Sequence, residues 1–143
     1  MDILRIDPVK YKKLGYDTSA VDECVKLMTS GMYEKALILC DESLKKNSND
    51  PLILSQKGVA YIKLNRIEDA RKCFDLGIDI DPKIGTLWYN KASLSALQNN
   101  ESESLSFLEK AISLDSRCIQ LAKNDEDFWI LKNNDDFISI VGN

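Results

Sequence analysis

Residues 51–84 read PLILSQKGVAYIKLNRIEDARKCFDLGIDIDPKI, and the fold follows from how that stretch is built and repeated. Leu54, Gly58, Tyr61 and Ile62 recur at spacings of three and four, and the pattern breaks at Asn65. Ala70, Cys73, Phe74, Gly77 and Ile78 resume it before Asp81-Pro82 ends it. Two apolar stripes at helical spacing, separated by a break, predict two amphipathic helices joined by a short turn. Asp50 ahead of Pro51 predicts where the first helix starts. The carboxylate accepts from unpaired N–H groups, and proline suits the first helical position.

Residues 17–50 and 85–118 superpose on this stretch without a gap, which sets a period of 34 residues. Small residues share columns: Cys24, Gly58 and Ala92; Ala36, Ala70 and Ser104; Ser43, Gly77 and Ala111. Larger apolar residues meet at Leu44, Ile78 and Ile112, and largely at Cys40, Phe74 and Leu108. Gly31, Asn65 and Asn99 fall together, residue types that tolerate positive φ just past a helix. Asn47, Asp81 and Asp115 share the end of the second helix. The small columns have a mechanical meaning, because helix axes approach to about 8–10 Å only where side chains at the crossing are short.

A helix-turn-helix of this period resembles the tetratricopeptide repeat, whose signature runs aromatic, Leu-Gly, Tyr, Ala, Phe, Pro. The middle block carries it through Gly58, Tyr61, Ala70, Phe74 and Pro82, with Leu54 in the aromatic place. The third block supplies Trp88, Ala92, Ser104, Leu108 and Ala111; the first supplies Ala20, Cys24, Leu27, Ala36, Cys40 and Ser43. Glu23, Lys57 and Lys91 stand where the family has Leu, and Ser48 and Ser116 replace Pro. A charged residue fits there if its stem packs and its head reaches water. The resemblance implies an all-α fold, a right-handed α-solenoid of three hairpins at 17–50, 51–84 and 85–118. It also implies an N-terminal extension at 1–16 and short capping helices at 119–143. The related pentatricopeptide repeats bind RNA and have a longer period, and the acidic balance argues against them as well.

The length of 143 residues suits one domain, and 44% hydrophobic with 29% charged residues is the make-up of a folded chain. The net charge of −4, with lysines interspersed among acids, lacks the basic cluster that nucleic acid needs. Neither nucleic acid nor an anionic membrane surface is expected as a partner. No apolar run approaches the roughly 20 residues of a membrane span. The N-terminus does not read as a secretory signal, so the expected location is cytoplasmic. Cys24, Cys40, Cys73 and Cys118 form no Cys-x-x-Cys pair and histidine is absent, so no metal or other cofactor is expected. Cys24 and Cys40 sit in packing columns and read as small core residues.

Ends of a repeat stack need covering. Ile119, Leu121 and Ala122 read as the start of a fourth first helix. After them come two acidic turns, each leading into a short apolar stripe, at 125–131 and 135–141. This tail resembles the endings found after many tetratricopeptide arrays and reads as a lid on the last repeat. A docking peptide or a strap over the protein's own groove is the sharper alternative. At the other end, Asp7-Pro8 predicts one helical turn through Leu14, stopped by Gly15. Ile3, Leu4 and Ile6 either cap the first repeat or fray.

The resemblance places the first helix of each repeat on a concave face. Carried over by column, the groove residues are Val21, Val25, Gln56, Val59, Lys63, Tyr89, Asn90 and Ser93. Val25, Val59 and Tyr89 offer apolar contact, while Gln56, Lys63 and Asn90 offer hydrogen bonds to a protein or peptide partner. Val59, with Ile62 and Leu97, fits helix packing equally well. Gln56, Lys63, Tyr89 and Asn90 lean towards a surface role, with Tyr89 the best anchor, and Trp88 reads as core. Some family members clamp the C-terminal carboxylate of heat-shock chaperones with cationic side chains. The matching positions hold Val21, Val25, Gln56, Thr86 and Asn90, none of them cationic, which argues against that role.

Catalysis finds no support. Without histidine the commonest general base is missing, and no phosphate-binding glycine loop or paired nucleophile appears. The expected function is that of a non-enzymatic adaptor. The alternative is a structural module that associates with copies of itself, end to end or through Phe128, Trp129 and Phe137.

Overall fold

The computed structural model describes residues 8–142, and among them every regular element is helical. The expectations for Ile3, Leu4 and Ile6 lie outside the described residues. Contacts divide the described residues into two compact units, residues 8–81 and residues 82–142. Contacts in a repeat array run between neighbours in sequence.

The first unit holds α1 (Pro8–Lys13), α2 (Ser19–Thr29), α3 (Tyr33–Lys46), α4 (Pro51–Lys63) and α5 (Ile67–Ile80). Helices α2 and α3 form one hairpin and α4 and α5 the next, and α4 packs against α2 and α3 as well as α5. That central place explains its sequence. From Pro51 to Ala60 every residue of α4 is buried except the half-buried Lys57, whose ammonium pairs with Asp41 of α3 at 2.7 Å. Burial pulls the Lys57 pKa down, but the Asp41 bond and charge outweigh it and raise the pKa overall. The small column works as the sequence predicts. A Cβ on Gly58 would meet the buried Phe74 ring of α5, 2.8 Å from its Cδ1.

The second unit holds α6 (Gly85–Leu97), α7 (Glu101–Leu114), α8 (Arg117–Asn124), a 3₁₀ helix (Glu126–Leu131) and α9 (Asp135–Val141). Here α6 is the enclosed helix, packed against α7, α8 and the 3₁₀ helix. A continuous core runs from Tyr89, Ala92 and Leu108 through Cys118 and Ala122 to Phe128, Leu131, Phe137 and Val141. The C-terminal stripes therefore bury their apolar faces on the last hairpin. Ser104 adds a directional link between α7 and α6: its hydroxyl donates to the Ala92 carbonyl at 2.7 Å.

The period is visible in the backbone. First helices end at Thr29, Lys63 and Leu97, and second helices run Tyr33–Lys46, Ile67–Ile80 and Glu101–Leu114, a step of 34 residues each time. All three turns are the same motif. Gly31, Asn65 and Asn99 have φ of 76°, 59° and 61°. The next N–H in each case, from Met32, Arg66 and Asn100, reaches back to the carbonyl of Leu27, Tyr61 and Ser95 at 2.8, 2.8 and 2.9 Å. Second helices close alike, with Asn47, Asp81 and Asp115 extended at φ near −145°. Asp50 caps α4 as expected, accepting from the N–H groups of Leu52 and Ile53 at 3.0 and 3.2 Å. Burial raises its pKa, and the two N–H bonds offset part of that rise.

Candidate binding surface

The eight groove positions divide between the units, with Val21, Val25, Gln56, Val59 and Lys63 in the first and Tyr89, Asn90 and Ser93 in the second. Within the first unit they lie on the adjacent helices α2 and α4. Val21, Gln56 and Val59 are buried, while Val25 and Lys63 are half-buried and give this set its contact with solvent. Gln56 is enclosed, and neither its amide nitrogen nor its amide oxygen finds a hydrogen-bond partner among the described residues. Leaving a buried amide unpaired costs about 1–3 kcal/mol.

Tyr89, Asn90 and Ser93 are all buried on α6. The Ser93 hydroxyl finds no hydrogen-bond partner among the described residues. Tyr89 is 0% exposed, its ring edge-on to Phe128 at 5.3 Å, and its hydroxyl donates to the Asp125 carboxylate at 2.8 Å. Asp125 also caps the 3₁₀ helix through the Asp127 N–H at 3.0 Å. One carboxylate thus fastens the C-terminal segment to the helix face that carries Tyr89.

Trp88 packs against the core as the sequence suggests, and Tyr89 is more deeply buried than Trp88. Trp88 is half-buried, donating its indole N–H to the Pro82 carbonyl at 2.8 Å and tilting over Phe107 at 6.0 Å. Its polar edge finds a partner at the surface, whereas the Tyr89 ring is roofed by Phe128. Of the aromatic residues considered for self-association, Phe128 and Phe137 are buried in the core and Trp129 is 63% exposed. Sequence reasoning missed Asp125 as the partner of Tyr89. The acidic turn is visible in the sequence, but its role as a helix cap hides the second bond that it makes.

Beside α8 lies a depression of about 350 Å³ lined by Arg117, Gln120, Leu121, Asn124 and Asp125. No helix among the described residues is long and apolar enough to cross a membrane.

Two models described as tetratricopeptide repeat match the chain, one over residues 27–94 and the other over residues 85–124. No curated protein sequence matches it.

Proposed function

The chain belongs to the tetratricopeptide-repeat family, and on that premise we propose that it is a non-catalytic adaptor holding a peptide or protein segment. Tetratricopeptide repeats generally mediate protein–protein interaction. Each unit offers for contact the first-helix face that the family uses for binding. On the first unit, taken by itself, that face comprises Val21, Val25, Gln56, Val59 and Lys63, and on the second Tyr89, Asn90 and Ser93. A cytoplasmic location goes with this reading.

Gln56 is the observation that carries it, and because it is 0% exposed a partner reaches its amide only by parting the side chains that enclose it. A primary amide offers a donor and an acceptor to the backbone of a bound peptide, and among the described residues neither has a partner. Val25 and Lys63 flank it with apolar and cationic contact. On the second unit a partner gains Tyr89 only by displacing the 3₁₀ segment, so binding there competes with the Asp125 bond.

Replacing Gln56 by Met keeps the shape and removes the amide. The variant should melt at the same or a higher temperature, because no hydrogen bond to a described residue is lost, yet hold partner peptides about tenfold more weakly. A peptide array followed by titration calorimetry compares this variant with the wild type. Equal affinity would remove this surface from the proposal.

A second reading, a module that associates with its own copies, draws on Trp129 and Ile130, which are 63% and 43% exposed. Sedimentation over a range of concentrations decides it: a species that stays monomeric throughout disposes of self-association.

A further inference from the structure

The Sγ atoms of Cys24 on α2 and Cys40 on α3 lie 3.2 Å apart, and both residues are 0% exposed. Two sulfurs at that distance are closer than ordinary van der Waals contact. A disulfide needs about 2.05 Å, so a closure of about 1.2 Å separates this contact from a covalent bond. The chain brings the atoms together for reasons of packing. Cys24 occupies the small-residue column that Gly58 and Ala92 fill in the other repeats, and Cys40 the column of Phe74 and Leu108. A short side chain at the first position and one with a sulfur at the second leave the two sulfurs facing each other across the hairpin.

We infer that Cys24 and Cys40 form a redox modification site, an intramolecular disulfide that locks α2 to α3 when the protein meets a peroxide.

The chemistry closes with hydrogen peroxide as the oxidant. The Cys24 sulfur, as thiolate, attacks one peroxide oxygen; the O–O bond breaks, leaving Cys24 as a sulfenic acid, and the departing hydroxide takes up the thiol proton as water. The Cys40 sulfur then attacks the Cys24 sulfur, the S–O bond breaks, and the second hydroxide leaves as water with the Cys40 proton. Two thiols give up two electrons in all, and one peroxide becomes two waters. A thiol reductant reverses the bond by exchange.

The order of attack follows from the contact. Either thiol can donate in the 3.2 Å contact; with Cys40 as donor, the bond holds the Cys24 pKa below the usual thiol range, against the opposing effect of burial. The same bond, with burial, pushes the Cys40 pKa up. In that arrangement Cys24 supplies the first thiolate. Enclosure makes the reaction wait on transient opening of the hairpin, which keeps it slower than oxidation of a surface thiol.

Cys73 and Cys118 are buried on α5 and α8, so the pairing is specific in prospect. The bridged residues are 16 apart in sequence. Closing a loop of that size should raise the melting temperature by about 5–10 °C.

The test uses the full chain. After treatment with hydrogen peroxide, non-reducing tryptic mapping should yield one species joining the peptide that contains Cys24 to the peptide that contains Cys40. Its mass should be lower by two hydrogen atoms than the sum of the separate peptides, and dithiothreitol should release both. The melting temperature should rise with the bond and fall back on reduction. A variant carrying Cys73→Ser and Cys118→Ala should give the same bridge, while the mapping of the wild-type chain stands if that variant fails to fold. Bridges to Cys73 or Cys118, over-oxidation of Cys24 to a sulfinic acid without a bridge, or both thiols remaining intact would each overturn the inference.

Discussion

A methyl group at residue 58 would have to share space with the Phe74 ring, and the ring has nowhere to go because Phe74 is itself fully buried. Gly58→Ala should therefore destabilise the protein by about 1–3 kcal/mol in urea unfolding. Trimming the ring in the double variant Gly58→Ala/Phe74→Leu should recover part of that loss. Strictly additive costs would contradict the steric account. At Gly31 the penalty has a different origin. Nothing lies within 4 Å of a Cβ there, yet φ is 76°, so Gly31→Ala should still cost about 1 kcal/mol through the backbone alone. Tyr16 adds a pH signature. Burial, then its 2.9 Å bond to Asp81, push the Tyr16 pKa up to about 12. The folded state holds that proton more tightly than the unfolded chain, which releases it near pH 10. The resulting stabilisation is complete below about pH 10 and fades as pH rises to about 12. The stability gap between wild type and Tyr16→Phe should shrink across that window, and a constant gap would refute the assignment.

At the scale of helices and turns, most of the architecture is legible in the sequence. Gly31, Asn65 and Asn99 mark the three left-handed positions because local sterics limit which residues can stand there. Asp50-Pro51 marks a helix start for the same local reason. The small columns are legible because every hairpin faces the same packing problem, and each answers it with Gly, Ala, Ser or Cys. The groove is less legible. Columns show which way a side chain leaves its helix, not what lies on top of it. Tyr89 reads as an exposed anchor until Phe128 and Asp125, nearly forty residues later, are placed over it. Gln56 shows the same gap, since an unpaired amide is a property of its surroundings and leaves no mark on a single sequence.

For the molecule as a whole, the C-terminal segment is part of the folded core. Phe128, Leu131, Phe137 and Val141 share one cluster with the last hairpin. Removing residues 125–143 should lower the melting temperature and expose the Tyr89 face, and Phe128→Ala alone should cost about 3–5 kcal/mol. A truncated chain that melts with the wild type would show that the segment is dispensable to the fold.

The identical chain reversals after α2, α4 and α6 also constrain how such a molecule can change length. Copying a whole hairpin preserves every junction, because each new turn begins where the last one ended. A single residue inserted inside α5 would instead swing the following side chains by about 100° around the axis. Inserted ahead of Cys73, it would turn Phe74 away from Gly58 of α4. Growth by whole modules is tolerated, and growth by single letters within a helix is punished.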